Sequence, residues 1–278
     1  MARTIVHLSD LHFGRVDPAI PPALARAVAT AAPDLVVVSG DMTQRAQVTE
    51  FEAAAHFLTT LPPPLLVIPG NHDVPLYNIL LRWLAPLSRY RRFITSDLAP
   101  FYEDEEIAVL GINTTRALTI KNGRINRGQI EAAMTRFARS GQDLTRIVVT
   151  HHAFDTAEST AAHKVVGRAQ MAMAGLVLAH VDIILSGHLH MNGIGETAKR
   201  YPLPGHSALL IRAGTATSTR RRGEVNAFNI VRVAPPAVAI DCMVWQPDKG
   251  QFMAASIERF TRTEFGWSRP APRGDAKG

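Results

Sequence analysis

Five short clusters of aspartate, asparagine and histidine punctuate the first 190 residues: Asp10-Leu11-His12, Gly40-Asp41, Gly70-Asn71-His72-Asp73, Thr150-His151-His152 and Gly187-His188-Leu189-His190. Carboxylate, imidazole and amide oxygens together suit manganese, iron or zinc better than an all-oxygen magnesium cage. The only cysteine, Cys242, excludes a Cys-based zinc site. Two such ions, roughly 3.5–4 Å apart and sharing a carboxylate, would neutralise a phosphodiester and lower the pKa of a bound water. Hydrolysis near neutral pH needs both. Taken singly, Asp10 and Asp41 read more readily as turn or cap residues, and Gly70-Asn71 as a turn. Four histidines at strand ends have no such reading, and His188 and His190 face one side of an extended segment.

To act together these side chains must meet, and the intervening sequence supplies the means. Each cluster follows an apolar run that reads as a β-strand: Thr4–Leu8, Leu35–Ser39, Leu65–Ile68, Ile147–Val149 and Ile183–Leu185. Parallel strands deliver their C-terminal ends to one edge of a sheet, so the clusters are expected to converge on one crevice. Asp17-Pro18 reads as an N-cap with proline at the first helical position, leading into Ala19–Ala31; a second helix is expected near Gln47–Thr60. This βαβαβ order implies right-handed crossovers and a parallel central sheet.

Leu76–Phe93 carries Leu76, Ile79, Leu80, Trp83, Leu84 and Leu87 at helical spacing. It reads as one amphipathic helix in an inserted segment of about residues 76–100, suited to a lid or subunit contact before membrane attachment. Ile107–Ile112 resumes the sheet, and Arg127–Arg139 and Gly167–Ala179 read as helices. Beyond Asn192, the runs Ala208–Arg212, Asn226–Val233, Val238–Trp245 and Gln251–Thr261 suggest antiparallel strands forming a second sheet. The expected organisation is one domain over 1–267 with a flexible tail at 268–278.

Composition narrows the function class. The chain has 278 residues, 46% of them hydrophobic and 19% charged, the makeup of a folded globular protein with a sizeable core. No apolar run approaches the ~18 residues of a membrane span. The first strand starts too near Met1 for a signal peptide ahead of it, so a cytoplasmic protein is the expectation. Cys242, within the apolar run Val238–Val244, is expected to be buried and inert. A formal charge of +6 favours anionic partners, suiting a phosphate-bearing substrate without demanding nucleic acid.

In this order the clusters resemble the calcineurin-like metallophosphoesterases over about Thr4 to His190. The resemblance implies an α/β fold, a four-layered α/β/β/α sandwich with a small inserted cap helix and the site at the strand ends. It implies two divalent metal ions per chain, with Asp10, His12 and His190 on the first, Asn71, His151 and His188 on the second, and Asp41 bridging. His72 would lie outside the metal shell, contacting the phosphate beside Asn71 and protonating the leaving oxygen after attack by metal-bound hydroxide. Asp73 would orient one of these groups from behind.

Within that superfamily the chain looks most like the class III cyclic-nucleotide phosphodiesterases and their glycerophosphodiesterase relatives. The double histidine, the Gly187–His190 motif and the run Gly123-Arg124-Ile125-Asn126-Arg127-Gly128-Gln129 carry that likeness. Ala153-Phe154 replaces the proline that commonly follows the double histidine, and Gly111-Ile112-Asn113-Thr114 replaces a commoner Leu-Asp-Ser. The expected substrate is a small anionic phosphodiester, a 3′,5′- or 2′,3′-cyclic nucleotide first. The rival readings are a lipid-linked nucleotide pyrophosphatase at the membrane surface, a nuclease of the same superfamily, and a noncatalytic scaffold. No stable nucleic-acid partner and no transmembrane segment are expected; a homodimer through the inserted helix is reasonable. His152 should point away from His151's side, and His7 reads as a satisfied core residue. His56, His163, His180 and His206 lack ligand spacing. Ala213–Thr219 is expected to form a loop near the metals, followed by Arg220–Arg222, which read equally as phosphate-binding or solvated.

Overall fold

The computed structural model describes residues 1–155, 165–201, 207–219, 225–264 and 266–269. His163, His206, Arg220–Arg222 and all but the first two residues of the 268–278 tail lie outside them. The elements of the first half are β1 (Arg3–Leu8), α1 (Ile20–Thr30), β2 (Leu35–Val38), α2 (Val48–Thr59), β3 (Leu65–Val67), α3 (Ile79–Leu84), α4 (Ser88–Phe93), β4 (Phe101–Glu103) and β5 (Ile107–Ile112). Then come α5 (Arg127–Ala138), β6 (Thr145–Thr150), α6 (Ala169–Leu178), β7 (Ile183–Ser186), β8 (Gly193–Glu196), α7 (Thr197–Arg200) and β9 (Leu209–Arg212). The chain closes with β10 (Ala227–Ala234), β11 (Ala237–Gln246), β12 (Gln251–Thr263) and β13 (Gly266–Ser268).

All four residues of β2 are buried, because a parallel strand inside a layered fold is covered on both faces. Successive side chains therefore serve different cores. Val36 and Val38 join Leu24, Val28, Phe51 and Phe57 of α1 and α2 on one side. Leu35 and Val37 meet Val109, Val149 and Leu185 of the facing sheet. That sheet's outer face, including Leu110, Val148 and Ile184, packs on Ile130 and Phe137 of α5 and Leu176 of α6. The layers run α/β/β/α, as the resemblance implies.

One sheet has the order β13-β12-β11-β10-β1-β2-β3 and the other β4-β5-β6-β7-β9-β8. Two expectations need correction here. The clusters converge from the C-terminal ends of strands in both sheets, β1 to β3 in one and β6 and β7 in the other. The late antiparallel strands form no sheet of their own: β10 pairs with β1, and β11 to β13 extend the first sheet. This pairing covers the open hydrogen-bonding edge that β1 would otherwise expose. The run ending at Arg212 enters the other sheet instead, beside β7.

Helix boundaries also shift. α1 begins at Ile20, with Pro21 and Pro22 in a first turn that needs no N–H donors. Asp17 does not cap it as Ncap; its side chain accepts from Ala19 N at 3.1 Å and closes the turn before the helix. The single helix expected over Leu76–Phe93 is two, α3 and α4. Pro86 lacks an N–H and disfavours helical backbone at the residue before it, and Ala85 accordingly leaves the helix at φ −150° and ψ 61°. Cys242 is half-buried in β11, less enclosed than expected, with Asn192 Nδ2 at 3.3 Å from its sulfur. Among the described residues, no helix is long and apolar enough to cross a membrane.

His7 lies wholly buried in β1, its Nε2 2.9 Å from Ser39 Oγ and its Nδ1 without a partner, so it is satisfied at one nitrogen only. Burial pushes its pKa down to about 3 from an ordinary 6.5. Between those values the unfolded chain holds a proton that the folded chain lacks, so stability rises with pH there and falls on acidification. His7→Gln should flatten the acid limb by about 3 kcal/mol between pH 6.5 and 4 in denaturant titrations; an unchanged limb would contradict this role.

Candidate metal centre

The strand ends are stitched together before any side chain acts. Asp10 N donates to Gly40 O at 3.1 Å, His12 N to Asp41 O at 3.0 Å and Gly187 N to His151 O at 3.0 Å. His188 N donates to Asp10 Oδ2 at 2.9 Å, and His72 N to Asp41 Oδ1 at 2.8 Å. Five of the nine non-glycine residues with positive φ among the described residues are Asp10, His12, Asp41, His188 and His190. Each left-handed residue costs on the order of 1 kcal/mol or more and persists only where its surroundings enforce it. The chain concentrates that cost in the residues singled out by chemistry.

Asp10 Oδ1, His12 Nε2 and Asp41 Oδ2 are buried without a hydrogen-bond partner. His12 Nε2 lies 3.6 Å from Asp10 Oδ1 and 3.7 Å from Asp41 Oδ2, and His190 Nε2 lies 3.5 Å from Asp10 Oδ1. These separations are too long for good hydrogen bonds. They approach the roughly 3–3.5 Å between donors that each sit about 2.1 Å from one ion. On the other side, His151 Nε2 is 3.4 Å from Asp41 Oδ1 and 3.2 Å from Asn71 Oδ1. The His188 ring stands 5.1 Å from that of His151. Asp41 thus turns one oxygen toward each group. Orphaned buried polar atoms cost about 1–3 kcal/mol apiece, so these residues fit a pair of cations better than they fit one another.

The imidazoles are oriented from behind. His151 Nδ1 donates to Ser39 O at 2.8 Å and His12 Nδ1 to Thr43 O at 3.3 Å, turning the Nε2 atoms toward the carboxylates. His190 Nδ1 pairs with Thr215 Oγ1. Burial opposes charge on His151, but the Asp41 carboxylate and its hydrogen bond, Asp10 and Ser39 O together raise its pKa to about 9. Burial would raise Asp41, yet His151, His72 and His12 hold it well below the usual carboxylate range. Burial lowers His188 to about 3. Asp73 rises to about 6, through burial and then the charge on Asp41.

Residues 3–192 match the family described as calcineurin-like phosphoesterase. The chain belongs to that family. A dimetal phosphatase from Danio rerio superposes with a TM-score of 0.67 at 11% identity, covering 94% of this chain and 99% of its own. Purple acid phosphatase PPD1 from Lupinus luteus gives 0.68 at 11% identity, over 91% of this chain and 53% of that one. The fold is therefore shared across large sequence distance. Among curated relatives, the UDP-2,3-diacylglucosamine pyrophosphatase LpxG of Chlamydia trachomatis is 38% identical over 76 residues, 26% of this chain and 23% of that protein. The glycerophosphodiester phosphodiesterase GpdQ of Enterobacter lignolyticus is 46% identical over 55 residues, 20% of this chain and 19% of that protein. The matches span about a quarter or less of either relative.

The five sequence clusters do not exhaust the site. Ring nitrogens of His151, His152 and His188 lie within 4.8 Å of one another. Yet His152 is engaged at both nitrogens, with Thr114 Oγ1 at 2.7 Å and Lys121 O at 3.0 Å. It braces the 114–123 loop, the structural role expected of it, but it does not point away from His151 as expected: the two ring centroids are 4.9 Å apart. Asp73 touches no reacting side chain; it accepts from the backbone N–H groups of Gly70, Met42 and Thr43 at 2.9–3.2 Å and from Thr43 Oγ1 at 3.0 Å. His56 and His180 are exposed, away from the site. The loop ending at Thr219 does reach the centre, through Thr215 on His190 and Ala216 N on Ser9 O. Sequence reasoning missed Thr215, Thr43, Gln44 and Ser9, whose Oγ lies 2.7 Å from Asp10 Oδ2. A serine just before Asp10 and a serine two before Asp41 were the available signal; backbone carbonyl donors leave none.

A Cβ at Gly70 would stand 2.1 Å from Asp41 Oδ1 and 2.2 Å from Asp41 N. Gly70→Ala should therefore displace the Asp41 carboxylate and cost at least about 2 kcal/mol of stability, with weaker metal binding in calorimetry. Wild-type affinity in the variant would contradict this geometry. Metal must also displace the His151 proton below pH 9, so binding should release protons and weaken on acidification. Calorimetry in buffers of different ionisation enthalpy measures that release; proton-neutral binding at pH 7 would oppose the assignment.

Proposed function

We propose that the chain is a phosphoesterase hydrolysing an anionic phosphodiester at a centre of two divalent ions of manganese, iron or zinc. Asp10, His12 and His190 would hold one ion and Asn71, His151 and His188 the other, with Asp41 shared. The observation that carries this reading is Asp41 itself, whose Oδ2 faces His12 while Oδ1 faces His151. Bound there, the ions would neutralise phosphoryl charge and make a water acidic enough to serve as nucleophile.

The chain's own part falls first to His72. Its Nδ1 donates to Gln44 O at 2.7 Å, so proton transfer to a departing oxygen falls to Nε2. Its backbone N–H on Asp41 Oδ1 ties the ring's position to the shared carboxylate. Asn71 and His72 line a cavity of about 470 Å³ with Asp41, His188 and His190, and would contact the phosphoryl group. Arg45 and Lys121 at the same wall add positive charge for a phosphate. Asp73 acts as a positioning residue, holding the 70–73 turn against the 42–43 loop.

The motifs favour a cyclic nucleotide, and a cavity of this size accommodates one. A second reading, a diester or pyrophosphate with an apolar arm, is supported by Leu76, Tyr77 and Ile120 in the same wall. The likeness to the UDP-2,3-diacylglucosamine pyrophosphatase agrees with it.

Manganese-supplemented protein should hydrolyse bis(p-nitrophenyl) phosphate, and no turnover with any of the three metals would sink the enzyme reading. His72→Ala should cost about 10²–10⁴-fold on a diester with an alkoxide leaving group. On bis(p-nitrophenyl) phosphate the loss should be far smaller, because p-nitrophenoxide departs without a proton. Equal losses would remove His72 from that role. A panel of 3′,5′- and 2′,3′-cyclic nucleotides, glycerophosphodiesters and nucleotide-linked lipids separates the two substrate readings.

A further inference from the structure

Eight of the fourteen large hydrophobic side chains exposed among the described residues come from two short segments, Leu76–Leu84 and Leu118–Ile120. Tyr77, Leu80, Trp83 and Leu84 are 65–76% exposed. Single exposed apolar side chains need no explanation, whereas such a concentration does. The two segments are fastened into one rim by Arg82. Its buried guanidinium donates to Thr119 O at 2.6 Å, Ala117 O at 2.7 Å and Pro75 O at 3.0 Å. Leu76, Tyr77 and Ile120 belong both to this rim and to the wall of the cavity that holds Asn71 and His72.

Charge identifies what the rim meets. Residues 74–96 and 114–130 contain no aspartate or glutamate, and five of their arginines and lysines, Arg91, Arg92, Lys121, Arg124 and Arg127, are exposed. Apolar side chains among cations, without a carboxylate, match the interface of a bilayer bearing anionic headgroups: acyl boundary for the former, headgroups for the latter. A second copy of the chain fits less well. A two-fold interface would set this cationic face against itself, and like charges oppose such pairing.

We propose that the Leu76–Leu84 and Leu118–Ile120 rim docks the chain on an anionic lipid bilayer, with the mouth of the cavity toward the membrane. The apolar side chains enter the acyl boundary while Arg91, Arg92, Lys121 and Arg124, all exposed, meet headgroups. This deepens the apolar-arm reading of the substrate and rests on it for its purpose, but not for its test. A substrate anchored in the bilayer could pass to Asn71 and His72 without leaving it.

Trp83 reports the contact directly, since the other two tryptophans, Trp245 and Trp267, are 5% and 6% exposed. Full-length protein would be titrated with vesicles of phosphatidylcholine alone or mixed with phosphatidylglycerol, following Trp emission and co-sedimentation. The expected result is a blue shift and co-sedimentation with the mixed vesicles, weakening at high salt. Leu80→Ser/Leu84→Ser, at exposed positions outside the cavity wall, should partition at least about tenfold more weakly with an unchanged circular dichroism spectrum. Its turnover of bis(p-nitrophenyl) phosphate without vesicles should equal that of the unaltered protein. The proposal is overturned by no shift on mixed vesicles at low salt, or by partitioning that the double variant leaves intact. It is equally overturned by a dimer in sedimentation equilibrium that the variant splits, with no vesicle binding. Vesicle binding without any phosphoesterase turnover would instead defeat the functional reading alone.

Discussion

Asp10 and Asp41 end adjacent parallel strands, wholly buried, each aiming one oxygen at no hydrogen-bond donor. Two like charges in that position are sustained only by positive partners close at hand. The surrounding structure reads as the answer to that constraint. His12, His151 and His190 present Nε2 to the carboxylates, and each has its Nδ1 held by Thr43 O, Ser39 O or Thr215 Oγ1. Glycines occupy the places where a side chain would collide with this group. A cation pair completes the arrangement more naturally than hydrogen bonding, because the Nε2 atoms of His12 and His190 lie 3.5 to 3.7 Å from the carboxylate oxygens.

The scaffold's contribution is to make a locally unfavourable backbone unavoidable. Five candidate ligands sit in left-handed conformations, shortly after strands whose last four residues are all buried. The interlayer cores fix where β1, β2, β6 and β7 end, and the cross-strand N–H···O bonds at those ends fix the direction of each following side chain. Rigidity of this kind lets donors be pre-placed without rearrangement when a ligand arrives.

Much of this was legible in the sequence. Apolar runs of three to five residues, each followed by Asp, Asn or His, marked both the strands and the site, since burial on two faces leaves a periodicity-free apolar signature. The layered fold followed from those motifs through resemblance. Sheet membership was not legible, because β9 and β10 are similar apolar runs and only tertiary pairing sends one to β7 and the other to β1. Pro86 stood in plain view as a break between α3 and α4, and helical spacing of leucines on either side obscured it. Thr215, 25 residues beyond His190, acts through a fold-level approach that no local pattern announces. Arg82 reads in sequence as one more cation on an amphipathic helix; in the structure it is buried and ties the rim to the 117–119 loop.

The shared Asp41 carboxylate is the claim on which the rest turns, and metal content with electron paramagnetic resonance after manganese loading tests it most directly. Two ions per chain with an exchange-coupled spectrum are expected. His190→Ala and His188→Ala should each retain one ion with an uncoupled signal, and Asp41→Ala should retain neither tightly. A single ion in the unaltered chain, or two coupled ions persisting in Asp41→Ala, would contradict it.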